Sequence, residues 1–140
     1  MASVTIYLNF MGTTEQAFEF YREVFGGEFL ALQRMGDVHG PDAPEDVKNK
    51  VMHVSLPILG GTVIMGTDMI ESMGHTLITG NNVSINLQPD TLAEGQVLFD
   101  ALAAGAQESM PLTAMPWGAH FGTVVDRFGT RWMFNVPSEN

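Results

Sequence analysis

The 140-residue chain contains no cysteine. That excludes disulfides, thiolate metal sites and cysteine nucleophiles, and it suits a reducing compartment. Basic residues are scarce as well, 6 Lys and Arg against 16 Asp and Glu, for a formal net charge of -10. A chain of that sign is repelled by polyanions, so nucleic acid and anionic membrane surfaces are poor partners. No apolar run approaches the roughly 20 residues needed to cross a bilayer. The opening residues, Met1 to Ile6, lack the basic-then-apolar pattern of a signal peptide. The expected location is therefore cytoplasmic, and the expected partners are small molecules or other proteins. Also missing are a G-x-S-x-G turn and a phosphate-cradling glycine loop, which leaves nucleophilic catalysis without support.

What is present is a repeated pattern. Val4, Ile6, Leu8 and Phe10 alternate with Thr5, Tyr7 and Asn9, the period-two signature of a half-buried strand. A helix is expected next, with Thr13 as its N-cap and Gln16 reaching back in a capping box. Ala17, Phe20, Tyr21 and Val24 mark its apolar face, and Gly26-Gly27 end it. Glu28 to Gln33 reads as a second strand. Residues 36–50, rich in Asp, Pro, Gly and Lys, read as a solvated loop. Val51 to Ile58 and Thr62 to Thr67 read as the third and fourth strands, turned at Gly60-Gly61. After a connector from Glu71 to Gly80, the order returns. Val83, Ile85 and Leu87 alternate with Asn82, Ser84 and Asn86, and Thr91 to Glu94 repeats the capping box. Val97, Leu98 and Leu102 supply a helical face, and Gly105 closes it.

The repeat has a consistent offset. A shift of 78 places Phe20 on Leu98, Tyr21 on Phe99, Val24 on Leu102 and Gly27 on Gly105. A shift of 68 places Gly61-Thr62 on Gly129-Thr130, Ile64 on Trp132 and Met65 on Met133. The difference makes the 36–50 segment about ten residues longer than its counterpart. The expectation is a single α+β domain over 1–140, built from two βαβββ modules at about 1–70 and 80–140 that form a curved mixed sheet. One helix per module covers one face of its strands. The other faces would then line a shared trough.

Specific residues carry a family resemblance. Thr14 through Tyr21 with Phe25-Gly26-Gly27 resembles the "EAFEFY…VFGG" helix of PhnB-like proteins. Gly61 to Asp68 is similar to their fourth strand. Met110-Pro111-Leu112, Trp117-Gly118, Phe121-Gly122 and Asp126-Arg127-Phe128-Gly129 resemble their "MPL…WG…FG…DRFG…WM" tail. These proteins belong to the glyoxalase/bleomycin resistance/extradiol dioxygenase, or vicinal oxygen chelate, superfamily. The resemblance implies the paired βαβββ fold and, commonly, a homodimer. Such domains are often labelled 3-demethylubiquinone-9 3-methyltransferase-like. The chain has no glycine-rich strand-to-helix turn suited to S-adenosylmethionine, and its order is not that of a doubly wound sheet.

The superfamily also implies a divalent metal held by His, Glu or Gln on the first and last strands of each module. Here the last-strand positions fall at Met65 and Met133, and the strand-start positions near Tyr7 and Ser84. One imidazole and no carboxylate make a poor set for a hard or borderline cation. The alternation puts Thr5, Tyr7, Asn9, His53, Ser55, Met65 and Thr67 on the trough side in the first module. In the second it puts Ser84, Asn86, Phe121, Thr123, Met133 and Asn135 there. His53 is the best candidate for chemistry, as a general base or an anion binder. The competing reading is a histidine satisfied by a neighbouring hydroxyl such as Ser55 or Tyr7.

Other candidates have plainer alternatives. Trp117 and Phe121 form an aromatic pair suited to ligand contact or to packing. His120 reads as a gate to the trough or as a surface-loop residue, whereas His39 and His75 fall in polar loops and read as solvated. Asp68 and Glu71 are placed past strand four on a solvated rim. Arg127 and Arg131 flank the Phe128-Gly129-Thr130 turn, and Asp126 reads as a turn residue rather than a catalytic acid. The 10 methionines suit an irregular cavity wall. Three functions follow. The leading one is a homodimeric small-molecule binder with ligand contacts from Tyr7, Asn9, His53, Met65, Ser84, Asn86, Trp117, Phe121 and Met133, and no metal. The second is a metal-dependent lyase, isomerase or dioxygenase drawing on His53, Glu71, His75 and His120. The third is a ligand-free regulatory or vestigial dimer.

Overall fold

The computed structural model describes residues 1–138. The chain divides into two compact units, Met1–Ile78 and Thr79–Asn140. The first runs β1 (Ile6–Met11), α1 (Thr14–Phe25), β2 (Ala31–Arg34), α2 (Met35–His39), α3 (Glu45–Lys48), β3 (Val51–Pro57) and β4 (Val63–Met69). Its sheet has the order β1-β4-β3-β2, with β1 parallel to β4 and the other pairs antiparallel. The second runs β5 (Ile85–Leu87), α4 (Leu92–Ala103), β6 (Glu108–Ala114), β7 (Ala119–Val125) and β8 (Arg131–Pro137). Its order, β5-β8-β7-β6, repeats the first, again with the outer pair β5 and β8 parallel. The fold is thus α+β, two βαβββ modules with four-stranded mixed sheets. The helices α1 and α4 are both 12 residues long and start 78 residues apart, at the offset the sequence repeat requires.

In the first unit, Ala17, Phe18 and Tyr21 of α1 are fully buried with Phe10, Val54, Leu56 and Ile64 of the strands. The buried set on α1 is Thr14, Ala17, Phe18 and Tyr21, one helical stripe at i, i+3, i+4 and i+7. Phe18, which the expected face omits, sits at its centre, while Phe20 and Val24 are only half-buried. Close approach of α1 to the sheet depends on Gly66: a Cβ there would lie 2.5 Å from Phe18 Cε1. In the second unit the stripe is Gly95, Leu98, Phe99 and Leu102, and Val97, expected on that face, is exposed. Phe99 packs edge-to-face on Phe134 with centroids 5.4 Å apart.

Two buried carboxylates organise the turns. Asp68 does not lie on a rim beyond strand four. It sits inside β4, 4% exposed, where Oδ1 accepts from the Thr14 amide at 3.0 Å and Oδ2 from the Val51 amide at 2.7 Å. This corrects the expected capping box, because Thr13 makes no side-chain cap and Asp68 satisfies the first turn of α1 instead. At α4 the expected cap is present, with Thr91 Oγ1 accepting from the Glu94 amide at 3.1 Å. Asp126 is the turn residue the sequence suggests: it accepts from the Phe128 and Thr130 amides, and its Oδ2 accepts from Trp132 Nε1 at 2.8 Å.

Other expectations change too. Residues 36–50 are not a solvated loop. Most of them fold into α2 and α3, and Met35 and Val47 are buried with Ile70, with Met52 packed against them. The polar composition hid two apolar anchors spaced too widely to show a period. Arg34 fixes the segment to α1 through two bonds to the Glu15 carboxylate, at 2.7 and 3.0 Å, and a third to the Asn49 carbonyl. The second strand is shorter and later than Glu28 to Gln33, beginning at Ala31 where pairing with β3 starts. The strand expected from Asn82 begins only at Ile85. Ile85 faces Trp132 in register, so Ser84 and Val83 come level with the start of β8 and the turn before it, and both are exposed.

Replacing Asp68 with Asn leaves one amide donor facing another and should lower stability by about 2 to 4 kcal/mol in urea unfolding. Gly66→Ala should cost about 1 to 3 kcal/mol by overpacking Phe18. The guanidinium of Arg34 holds the Glu15 carboxyl below its ordinary value. A depressed carboxyl contributes stability above its unfolded pKa and loses it as pH falls through the folded one. Glu15→Gln should therefore be destabilising near neutrality, by no more than about 0.5 kcal/mol for so exposed a pair. The difference from wild type should fade in acid unfolding curves as pH falls below the ordinary carboxylate range and the Glu15 carboxyl takes up its proton.

Candidate functional site

Apart from Asp68 and Arg34, which bond to α1, the strands β1, β3 and β4 carry polar side chains on the face opposite α1. Tyr7 of β1 is level with Met65 of β4, and Met65 is level with Ser55 of β3. His53, one pleat along β3 from Ser55, shares that face. Tyr7 Oη and His53 Nδ1 lie 2.8 Å apart, with ring centroids 5.7 Å apart. Of the two hydroxyls expected to satisfy His53, the phenol is the one in place. Ser55 is buried, Asn9 is exposed beyond Tyr7, and Thr5 Oγ1 reaches Met65 Sδ at 3.9 Å.

The chemistry of the pair follows from proton counting. Burial raises the Tyr7 phenol above its ordinary value, so it stays an O–H at neutral pH. If the phenol donates to Nδ1, a neutral imidazole carries its proton on Nε2, and the phenol oxygen keeps lone pairs free. If Nδ1–H donates instead, the phenol O–H is free and Nε2 accepts. Either way the pair keeps both a donor and an acceptor. Tyr7 is 44% exposed, so the pair is within reach of solvent.

In the second unit the corresponding face carries Asn86, Met133 and Thr123 in one row, with Asn135 level with Phe121 in the next. Asn135 Oδ1 and Arg131 Nε are buried there without a hydrogen-bond partner. Trp117 is not in either row. It lies at the tip of the β6–β7 hairpin and is 67% exposed. His120 is not a loop residue: it lies within β7, level with buried Val136, and its Nδ1 is buried without a partner. His75 is exposed, but it is anchored, since Nδ1 accepts from the Ile70 amide at 2.9 Å. His39 is exposed at the end of α2, and Glu71 is exposed just past β4.

The metal implied by the superfamily does not fit these residues. The strand-start and last-strand positions hold a phenol and a thioether in the first unit. In the second they hold Ser84 or Asn86 with another thioether, a soft set for a hard or borderline cation. His53 Nδ1 is already occupied by Tyr7. Among the described residues, no three His, Asp or Glu side chains gather where they could hold an ion.

This pairing of modules defines the glyoxalase-like, vicinal oxygen chelate class. A crystal structure of a glyoxylase/bleomycin resistance protein/dioxygenase domain from Frankia sp. EAN1pec shares the fold, with a TM-score of 0.69, 14% identity, and coverage of 100% of this chain and 95% of that one. Within the class, the family model described as 3-demethylubiquinone-9 3-methyltransferase matches residues 2–134. The chain belongs to that family, whose members are PhnB-like proteins. The crystal structure of PA1353 from Pseudomonas aeruginosa is 35% identical, with a TM-score of 0.84, over 99% of this chain and 100% of that one. A Bacillus cereus protein described as a putative 3-demethylubiquinone-9 3-methyltransferase, PhnB protein, is 24% identical with a TM-score of 0.78, over 96% and 99% of the two chains. Protein YjdN of Escherichia coli K12 is 26% identical over 95% of this chain and 94% of its own. Membership fixes the fold and assigns no reaction to these side chains.

Tyr7→Phe keeps the ring and removes the partner of His53 Nδ1. Stability should change by no more than about 1 kcal/mol for a solvent-accessible bond, while the imidazole nitrogen-15 resonances of His53 should move by NMR. Unmoved resonances would mean that the two side chains do not interact in solution.

Proposed function

We propose that this PhnB-like protein binds a small, uncharged molecule bearing hydroxyl or carbonyl groups, without a superfamily-type metal. The observation that carries this reading is the Tyr7–His53 pair on the face opposite α1. A fixed donor–acceptor couple beside the Met65 thioether suits one polar group on an otherwise apolar ligand, the usual composition of a small-molecule site. Asn9, exposed within β1, adds an amide. In the second unit, Asn86, Phe121 and Met133 offer the same mixture of amide, aromatic and thioether, with Ser84 ahead of β5 and Trp117 at its hairpin tip as further contacts. A homodimer in the cytoplasm belongs to the same proposal, and the absence of any helix long and apolar enough to cross a membrane among the described residues is compatible with it.

The test is a thermal-shift and NMR screen with hydroxy- and keto-metabolites, on wild type and on the Tyr7→Phe and His53→Ala variants. A ligand that stabilises wild type should lose roughly tenfold or more in affinity in either variant. Saturable binding that both variants retain would refute this site. Elemental analysis of protein purified without chelator addresses the metal: a stoichiometric divalent ion, lost in His53→Ala, would overturn the metal-free reading and favour a metal-dependent enzyme.

A further inference from the structure

The second unit holds a positive charge that no protein group answers. Arg131, Met133 and Asn135 of β8 alternate with Trp132, Phe134 and Val136, which are buried on the α4 side, so the first three share the opposite face. Among the Lys and Arg side chains, Arg22, Arg34 and Lys48 pair with carboxylates, and Lys50 and Arg127 bond to backbone carbonyls. Arg131 has neither among the described residues, although the chain carries 16 carboxylate side chains against 6 basic ones. The carboxylate level with it, Glu108 of β6, stands two strands away beyond Val125 and forms no ion pair with it.

Part of this charge is out of water. Arg131 Nε is buried without a hydrogen-bond partner, and so is Asn135 Oδ1 on the same face. A guanidinium cannot shed its proton, and an unmade bond at a buried charged group costs more than one at a neutral group. One orphan is a cationic donor and the other a neutral acceptor, and Met133 lies between them on the strand. Phe121 is level with Asn135, and Thr123 and Asn86 flank Met133.

We infer that this face binds a monocarboxylate bearing a distal hydroxyl. The Nε–H of Arg131 and a neighbouring Nη–H lie parallel, a fork that matches the two oxygens of a carboxylate. The hydroxyl donates to Asn135 Oδ1, and the aliphatic body lies along Met133. The strand rise sets the Cα atoms of Arg131 and Asn135 about 13 Å apart. A hydrogen bond of about 3 Å at each end leaves roughly 7 Å between the polar ends of the ligand, about the span of a six-carbon chain. A dianion is a poorer occupant, because these rows hold no second Lys or Arg and the chain as a whole is at -10. An ammonium in place of the hydroxyl would find no counter-charge, since the rows of Met133 and Asn135 contain no carboxylate. The inference goes beyond the uncharged ligand proposed for the Tyr7–His53 pair. It gives the second unit a ligand of its own, and either reading can fail without the other.

The experiment is an NMR titration of the intact chain with 6-hydroxyhexanoate, hexanoate, 1,6-hexanediol and adipate, read at the Nε–H of Arg131 and the side-chain amide of Asn135. 6-Hydroxyhexanoate should give saturable shifts at both. Hexanoate lacks the hydroxyl, 1,6-hexanediol lacks the carboxylate and adipate carries a second charge, and each should bind about tenfold or more weaker. Arg131→Gln should weaken 6-hydroxyhexanoate by about tenfold or more, and Asn135→Ala should remove its advantage over hexanoate. An unanswered buried donor does not help the free protein fold, so Arg131→Met should leave the melting temperature unchanged or raise it. A lowered melting temperature would assign the guanidinium to the fold and overturn the proposal. So would a control compound binding as tightly as 6-hydroxyhexanoate, or full affinity in Arg131→Gln. Shifts that never saturate would overturn it as well, leaving water as the partner of both groups.

Discussion

The carboxylate of Asp68 ties the first unit together. Buried in β4, it accepts from the first amide of α1 and from the first amide of β3, so one side chain sets where a helix and a strand begin. The cost of burying a charge is offset by two short amide donors, which hold a carboxylate more strongly than they hold a neutral acceptor. The consequence reaches the opposite face of the sheet. Asp68 is level with Phe10 of β1, and the same three strands carry Tyr7, Met65 and His53. If β3 were free to slip by one residue against β4, His53 would turn to the α1 side and the pair with Tyr7 would be lost. A bond made beneath the sheet therefore positions the chemistry above it. Asp126 plays a comparable part in the second unit, where one carboxylate closes the β7–β8 turn and holds the indole of Trp132.

Much of this was legible in the chain. The alternation of Ile6, Leu8 and Phe10 with Tyr7 and Asn9 is a direct imprint of a sheet with one buried face, although Val4, expected on that face, lies ahead of β1 and is exposed; the offsets of 78 and 68 reproduce the observed equivalence of α1 with α4 and β4 with β8. Asp126 was legible because its bonds are local, to residues two, four and six positions further on. Asp68 was not, since its partners lie 54 and 17 residues away, and a carboxylate at the end of an apolar run looks like the start of a loop. The same reason hid α2 and α3: Met35 and Val47 find their apolar partner in Ile70, outside any window a periodicity can sample. Phe18 was passed over for Phe20 because a helical stripe four residues wide admits either, and only the closeness permitted by Gly66 decides between them.

Candidate side chains divide on the same principle. His53 and Tyr7 could be brought to one face by counting, because the strand period is two and both sit on alternating strands. His120 could not be placed, since nothing local distinguishes a residue at a hairpin shoulder from one inside β7. Trp117 shows the opposite limit. Its neighbours Pro116 and Gly118 make a tight turn, which projects the indole outward regardless of where Phe121 lies.

The two modules share one architecture and have diverged in their polar detail. Where the first places a phenol against an imidazole, the second places an amide and a thioether in the row from Asn86 to Met133. The 36–50 segment gives the first unit a charged cleft, whereas the second closes the same connection with a short hairpin. A duplicated unit tolerates such changes because its stability resides in the helix-facing side of each sheet, where Phe18, Ile64, Phe99 and Trp132 are buried. Substitutions on the other face alter few core contacts, and an insertion between β2 and β3 needs only its own small set of anchors. The core thus constrains the fold while leaving the opposite faces and the long connection free to acquire separate chemistry, which is why a family model can match 2–134 and still say little about what is bound.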